Sequence, residues 1–201
     1  MSAEPTLAEG GIGALEKAAR AAGAAGIPPV EKWNPPYCGD LDIRIAADGT
    51  WYYMGSPIGR KPLVKLFASV LRREADGRHY LVTPVEKIGI RVDDAPFLAV
   101  EMAAEGRGQE QRLAFRTNVD DFITVDANHP LRFMREPETD GLKPYVGVRG
   151  GLEALMTRSV FHELVDLGEE ADRPEGRMFG VWSSGQFFVM APADSLEATT
   201  S

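Results

Sequence analysis

The chain has 201 residues, of which 44% are hydrophobic and 26% are charged, with a single cysteine and a formal net charge of −8. These values are typical of a globular protein with one or two domains, and they exclude a collagenous or wholly disordered chain. The single cysteine excludes an intramolecular disulfide framework, and the negative charge disfavours attraction to nucleic acid or anionic lipid.

The charge is unevenly distributed along the chain. Residues 39–91 contain nine Lys/Arg and six Asp/Glu, a net of +3, whereas the remaining residues have 13 basic and 24 acidic side chains, a net of −11. A small positive region suits a small anion better than a nucleic-acid track.

Residues 1–36 are rich in Ala, Gly and Pro, and we predict an N-terminal segment and linker. In the helical run over 12–22, Leu15 is nearly the only large apolar side chain, so a packed helix is not expected. Glu4 and Glu9 precede any basic residue and no apolar run follows them, which disfavours a signal peptide. No segment reaches the roughly 20 apolar residues of a membrane span. We therefore expect a cytoplasmic protein with no membrane partner.

The first predicted half covers residues 37–104. Leu41, Ile43 and Ile45 alternate with polar residues, as in a half-buried strand, and the aromatic residues of 50–54 predict the returning strand. A helix is expected from Pro62, because apolar residues follow at helical spacing: Leu63, Leu66, Phe67, Val70 and Leu71. Short strands are predicted further along the chain at 79–83, 87–92, 97–103 and 112–117.

The second predicted half covers residues 105–191, and residues 192–201 form a polar tail. A strand over 144–148 is followed by Arg149-Gly150-Gly151 and by a predicted helix with one apolar stripe, composed of Leu152, Leu155, Met156, Val160, Leu164 and Leu167. Strands over 178–182 and 186–190 complete this half.

The two halves share the order strand, Gly/Arg turn, helix and strand, and Glu74-Ala75-Asp76 has a counterpart in Glu170-Ala171-Asp172. This similarity indicates a diverged duplication. We predict an α+β fold of two related halves, each a curved antiparallel sheet with one main helix. Each half is small for an independent domain, so a shared apolar interface is expected.

Several longer motifs stand out along the chain: DGTWYY at 48–53, GSPIGRKP at 55–62, YLVTPVEK at 80–87, FRTN at 115–118, HPL at 129–131, YVGVRGGLEAL at 145–155 and GVWS at 180–183. Together they resemble a bacterial family catalogued as domain of unknown function 1285. The resemblance implies two related α+β halves, the second loosely like a pleckstrin-homology domain, with a ligand cleft between them. It also implies a nucleotide-like ligand and a role in signal transduction, but no established activity.

The strongest local anomaly is the basic entry to the first predicted helix, Gly59-Arg60-Lys61. Helix N-termini have free N–H groups and partial positive charge, so cations are disfavoured there unless an anion binds. Arg149 and Gly150 repeat the pattern before the second predicted helix. These arginines either contact an anion or pair with carboxylates such as Asp40, Asp42 or Glu153.

Other polar and aromatic residues extend this candidate site. Tyr53 lies beside the Gly55-Ser56 loop and can stack on a flat ligand, although an aromatic strand packed on a helix is usually core. Arg116-Thr117-Asn118 ends a strand with three hydrogen-bonding side chains, which suits a polar pocket or a turn. The predicted ligand contacts are Tyr53, Ser56, Gly59, Arg60, Lys61, Arg116, Asn118, Arg149 and Gly150.

No catalytic residue, metal ligand or cofactor is predicted. The segment 55–61 is one residue short of a P-loop, and Pro62 stands where the magnesium-binding hydroxyl belongs. His79, His129 and His162 have no His or Cys at metal-ligand spacing.

The favoured function is a non-enzymatic ligand-binding or sensory module that holds a small anionic, nucleotide-like ligand between the halves and signals to a partner protein. One alternative is an enzyme acting on a phosphorylated small molecule, with Asp40, Asp42 or His129 as a base. Another is a protein-interaction scaffold without a ligand, which would expose an apolar patch.

Overall fold

The computed structural model describes residues 7–23, 27–137, 139 and 141–194. Its helices α1–α3 are Leu7–Ala22, Lys61–Ser69 and Arg158–Asp166. Strands β1–β6 are Tyr37–Ile45, Trp51–Tyr53, Ser56–Pro57, Leu71–Arg73, His79–Val82 and Lys87–Val92. Strands β7–β12 are Phe97–Glu105, Arg112–Thr117, Phe122–Thr124, Leu131–Arg135, Leu142–Arg149 and Leu152–Met156. Strands β13–β15 are Glu169–Arg173, Gly176–Ser183 and Gln186–Pro192.

The chain divides into two compact units. Unit 1 comprises Met1–Pro96 with Gly150–Leu152, and unit 2 comprises Phe97–Arg149 with Glu153–Ser201. The predicted division between residues 104 and 105 falls inside β7, so the chain divides eight residues earlier than the sequence indicated. The tail predicted from residue 192 begins within β15, and its residues 195–201 lie outside the described part of the chain.

Unit 1 contains a six-stranded sheet, sheet A, with the order β3-β2-β1-β6-β5-β4. Ile43 and Ile45 of β1 are buried, as the alternation predicted. The helix α2 covers the sheet through Phe67, whose ring lies 6.3 Å from that of Trp51 on β2. Neither of these two side chains is more than 1% exposed, so they form the centre of this unit's core.

The N-terminal segment packs more closely than the sequence indicated. Leu15 and Ala19 of α1 are fully buried, one turn apart on the same helix face. In the predicted linker, Val30 is buried in a single turn of 3₁₀ helix over Val30–Lys32. The buried Arg72 of β4 donates hydrogen bonds to the Val30 carbonyl (2.9 Å) and the Trp33 carbonyl (2.7 Å). The small side chain of Ala19 is sufficient for the packing of α1, because it lets α1 approach α2 closely.

Unit 2 contains sheet B, with the order β10-β11-β12-β7-β8-β9. A three-stranded antiparallel sheet, sheet C, follows with the order β13-β14-β15. The helix α3 contacts β7 and β14, and its Val160 and Leu164 are buried.

The helix predicted directly after Arg149-Gly150-Gly151 is wrong in its first third. Residues 152–156 form strand β12, and the helix begins only at Arg158. In β12 the residues Leu152, Ala154 and Met156 are buried and alternate with partly exposed ones, a period of two. Leu152, Leu155 and Met156 also fit a helical spacing, and the pairing of β12 with β7 decides between the two periods.

Both six-stranded sheets have the same topology, which confirms two related halves. In each, three strands run from the centre outward, the chain crosses to the far edge, and three strands return to the centre. The two central strands, β1 with β6 and β7 with β12, are parallel, whereas the prediction was purely antiparallel. The repeat therefore matches β1–β6 with β7–β12, and the suggested match of Glu74-Ala75-Asp76 to Glu170-Ala171-Asp172 is wrong because the latter lies in β13.

Candidate functional site

Five of the predicted ligand contacts lie around the entry to α2 in unit 1. Ser56 and Gly59 are exposed, Tyr53 is partly exposed, and Arg60 is the residue before the helix with Lys61 at its first position. The prediction of a basic helix entry is therefore correct for α2.

The arginine at this helix entry already pairs with a carboxylate of the protein itself. The Arg60 guanidinium lies 3.0 Å from Glu16 Oε2 of α1, and Arg20 binds the other oxygen of the same carboxylate at 2.8 Å. Hydrogen bonds from Arg20 and Arg60 lower the pKa of Glu16. The amides of Leu63 and Val64 donate to the Arg60 carbonyl, and Pro62 has no N–H. Few backbone donors therefore remain for a ligand at this helix end.

Three further predicted contacts, Arg116, Asn118 and Arg149, meet in unit 2 at the turn between β8 and β9. Arg116 pairs with Glu101 and, at 2.5 Å, with Asp120, and these carboxylates raise its pKa. Asn118 Oδ1 accepts a hydrogen bond from the Leu98 amide at 3.0 Å. The side chain of Asn118 thus holds the turn against β7, and Arg116 has two carboxylate partners.

Arg149 does not precede a helix. It ends β11, pairs with Asp121, and its guanidinium carbon lies 5.2 Å from the centroid of the Phe97 ring. Gly150 follows in the turn between β11 and β12 with a φ of 51°, a conformation that glycine adopts without strain. The expected second helix entry is therefore wrong, because β12 and not a helix follows these residues.

A cavity that the sequence did not reveal lies in unit 1, where β1 separates from β6. The pair Asp40–Gly89 is followed by the pair Arg44–Arg91, so β1 uses four residue steps where β6 uses two. Such bulges interrupt a ladder and are common beside binding sites. The resulting bulge cavity has a volume of 630 Å³ and is lined by residues 40–43, 77–79 and 89–92.

The charged groups of the bulge cavity differ in how far they are neutralised. Asp40 accepts hydrogen bonds from Arg78 (2.7 Å) and from the Tyr37 hydroxyl (2.8 Å). Gly89 makes room for this pair, since a Cβ there would lie 1.9 Å from Asp40 Oδ1. Arg91 is mostly exposed, and its Nε is 3.8 Å from Asp93, which is too long for a hydrogen bond. Arg91 is therefore the cation of this cavity with the weakest internal pairing.

His79 is the titratable group of the bulge cavity with the largest change in pKa. Burial, and to a smaller extent the charge of Arg73, lower its pKa to about 4. The imidazole is therefore neutral at pH 7, with one nitrogen as donor and the other as acceptor. Since a general base works best with a pKa near the working pH, this histidine is better suited to hydrogen bonding than to proton abstraction.

The residues that the sequence analysis missed share one feature. Arg78, His79, Gly89 and Arg91 are distributed over two strands and a turn, and they meet only because of the strand order and the bulge. The sequence suggested Asp40 as the partner of an arginine, and Asp40 does pair with an arginine of the bulge cavity. Its partner is Arg78 instead of Arg60 or Arg149.

Metal-binding clusters and membrane-spanning helices are both absent from the described residues. No three His, Cys, Asp or Glu side chains in this part of the chain are grouped so that they could hold a metal ion. None of the described helices has the length and apolar character needed to cross a membrane.

Comparisons with known proteins identify the family. Residues 28–95 match the "Domain of unknown function (DUF1285), N-terminal domain", and residues 96–190 match the "Protein of unknown function (DUF1285), C-terminal domain". A crystal structure of a DUF1285 family protein from Silicibacter pomeroyi DSS-3 is 51% identical, covers 91% of this chain and 97% of its own, and gives a TM-score of 0.84.

A second DUF1285 crystal structure, from Shewanella baltica OS155, is 26% identical, with 63% of this chain and 91% of its own covered and a TM-score of 0.49. No curated protein matches. Because the two family descriptions together cover residues 28–190, the chain belongs to the DUF1285 family.

Proposed function

We propose that this protein is a non-enzymatic module that binds a small anionic ligand in the bulge cavity of unit 1. The observation that carries the proposal is the interruption of the β1–β6 ladder, which opens a 630 Å³ cavity beside two arginines. This volume falls in the range of roughly 300–1,000 Å³ found for small-molecule sites.

The cavity offers complementary groups for one anionic head. Arg91 has the guanidinium with the weakest internal pairing, and the neutral His79 can donate a hydrogen bond from one ring nitrogen. Arg78 is held by Asp40 and positions the wall of the cavity. The exposed Asp42 at the rim would repel a highly charged ligand, so it favours a ligand with a limited negative charge.

A nucleotide-like ligand and a role in signalling, which the family resemblance implied, belong to this proposal as its narrower form. Mononucleotides and phosphorylated metabolites are the first compounds to test. Binding would serve signalling only if a partner protein recognised the occupied and empty forms differently.

A thermal-shift screen with matched arginine variants tests the site. A ligand that binds only the folded protein raises the melting temperature. We expect Arg91→Gln to abolish that shift and Arg60→Gln to retain it, because Arg60 is already paired with Glu16. The opposite result would place the ligand at the α2 entry and overturn the proposed location. The absence of any stabilising anion in the screen would overturn the proposed function.

A further inference from the structure

Unit 2 contains an aromatic cavity of its own, which is distinct from the predicted ligand contacts. It has a volume of 430 Å³ and is lined by Gln109, Arg173, Trp182, Gly185, Gln186 and Phe187. None of these side chains belongs to the predicted ligand set. The cavity lies on sheet C, the part of unit 2 that follows the repeated strands.

The centre of the aromatic cavity is a cation placed over two rings. The guanidinium carbon of Arg173 lies 4.6 Å from the centroid of Phe187 and 5.3 Å from that of Trp182. The two rings contact each other edge to face at 5.2 Å. A guanidinium over aromatic rings keeps its N–H donors available at its edge.

The pairing of Arg173 differs from that of the neighbouring arginine. Arg177 of β14 pairs with Glu170 of β13 at 2.6 Å. Within the described ranges, Arg173 makes ring contacts and no ion pair with a carboxylate. One cationic group of the aromatic cavity is therefore left without an internal counter-charge.

The turn that carries the aromatic cavity is fixed in place. Ser184 and Gly185 have φ values of 51° and 78°, as expected for a tight hairpin turn. The fully buried Ser183 donates to the Val125 carbonyl at 2.8 Å and accepts from the Leu113 amide at 3.0 Å. Because the hairpin that carries Trp182 and Phe187 is anchored in this way, the cavity is preorganised.

The same turn is held from a second direction. Gln111 Nε2 donates to the Trp182 carbonyl at 2.8 Å. Gly180 lies under the Phe187 ring, where a Cβ would approach the ring to 2.9 Å. Both rings beneath Arg173 are therefore positioned by the fold and need no ligand to order them.

We propose that the aromatic cavity of unit 2 binds a small organic monocarboxylate, for which phenylacetate is the probe. One unpaired guanidinium matches one carboxylate in a bidentate arrangement, and the amides of Gln109 and Gln186 can bind its oxygen atoms. The rings of Trp182 and Phe187 support the guanidinium from one side, which leaves its N–H edge for the ligand. The chain's net charge of −8 disfavours a ligand with several negative charges.

Titration with phenylacetate, followed by NMR of protein labelled with ¹⁵N at the tryptophan indoles, tests this inference. We expect a saturable shift of the Trp182 indole resonance and no shift for Trp33 or Trp51. Arg173→Gln should weaken binding by at least about tenfold. Arg177→Gln is the matched control, because it removes an arginine from the next strand that already has a carboxylate partner, and it should leave binding unchanged.

Further probes separate the charge of the ligand from the rest of the molecule. The neutral 2-phenylethanol should bind at least about tenfold more weakly than phenylacetate, because it lacks the carboxylate. Arg173→Lys keeps the charge but loses the bidentate geometry, so intermediate weakening is expected, and this variant serves if Arg173→Gln does not fold. Unchanged binding to the Arg173 variants, equal binding of phenylethanol, tighter binding of phenyl phosphate, or an unmoved Trp182 resonance would each overturn the proposal.

Discussion

Sheets A and B are built in the same strand order, but they use equivalent positions differently. In sheet A, Arg72 of β4 stands opposite Tyr80 of β5, and in sheet B, Arg132 of β10 stands opposite Tyr145 of β11. A leucine precedes each arginine in the chain. The same pair of side chains therefore recurs at the same register of the repeat.

The environments of the two arginines differ. Arg72 is buried and binds Glu74 as well as two backbone carbonyls of the N-terminal segment. Arg132 is partly exposed, pairs with Glu153 at 2.7 Å, and lies 4.3 Å from the Tyr145 centroid. Arg72 anchors a segment outside its sheet, whereas Arg132 pairs with Glu153 of its own sheet. This difference shows that a repeated strand pair retains its geometry while its partners change.

The covering helices provide the test with the largest expected effect. Both α2 and α3 have nine residues, but α2 lies between β3 and β4, whereas α3 follows β12. Phe67→Ala in α2 should lower the free energy of unfolding by about 3–5 kcal/mol, and Leu164→Ala in α3 by about 2–5 kcal/mol, since both side chains are fully buried. Urea denaturation measures both. A cost below about 1 kcal/mol for either variant would contradict an equivalent covering role.

The arginine pair provides the second test. Arg72→Ala should cost about 3 kcal/mol, because it leaves the Val30 and Trp33 carbonyls and Glu74 without their donor. Arg132→Ala should cost about 1 kcal/mol, because its ion pair is partly exposed. Hydrogen exchange at residues 30–33 reports the effect locally, since the Lys32 and Trp33 amides are bonded there. If Arg72→Ala and Arg132→Ala lost the same stability, the distinction between the buried anchor and the partly exposed ion pair would be refuted.

Sheet C, which follows the repeated strands of unit 2, provides the third test. At Gly180, a Cβ would lie 2.2 Å from the Phe188 carbonyl oxygen, which belongs to the backbone and cannot move aside. Gly180→Ala should therefore cost about 2–3 kcal/mol. Gly59→Ala is the control, because a Cβ there would have no neighbouring atom within 4 Å, and it should change stability by less than about 0.5 kcal/mol. Thermal denaturation measures both variants, and a similar loss of stability in the two would refute the predicted clash at Gly180.

The fourth and smallest effect concerns pH. His79 has a folded-state pKa of about 4, below the ordinary value of 6.5, so the unfolded chain binds more protons between these values. Stability should therefore rise with pH from 4 to 6.5, with a contribution on the order of 2 kcal/mol after allowance for partial exposure. His79→Gln should remove this contribution. In the equivalent strand β11, Pro144 precedes Tyr145 where His79 precedes Tyr80, so the effect is expected only in unit 1.

Urea denaturation of wild type and His79→Gln between pH 4 and 7 measures the difference directly. The wild type should gain stability relative to the variant as the pH rises from 4 to 6.5, and the two stability curves should become parallel above pH 6.5. Curves that stay parallel throughout would show that the histidine titrates normally in the folded protein.

Local sequence patterns predicted β2, β5–β8, β11, β14 and β15 within two residues at each end, whereas β3, β4, β9, β10 and β13 were not predicted. Leu71, which was assigned to the first helix, lies in β4. The segments 87–92 and 112–117 agree with β6 and β8 at both ends, because their flanking turns are marked by Pro, Asp and Gly. The pattern failed at β12, where Leu152, Leu155 and Met156 satisfy a helical period as well as an extended one. Short apolar runs cannot be assigned from periodicity alone, since a neighbouring strand decides which period is used.

The sequence by itself determined nine of the fifteen described strands, the start of α2, the two related halves and the family. Alternating apolar residues, the Pro62 start of the helix and the long motifs are local properties that need no partner. Only the tertiary structure decided which charges are compensated and where cavities open. Glu16 reaches Arg60 from 44 positions away, and the bulge cavity depends on the register of β1 against β6. Pairing across such distances depends on strand order and side-chain reach, which periodicity along the chain does not encode.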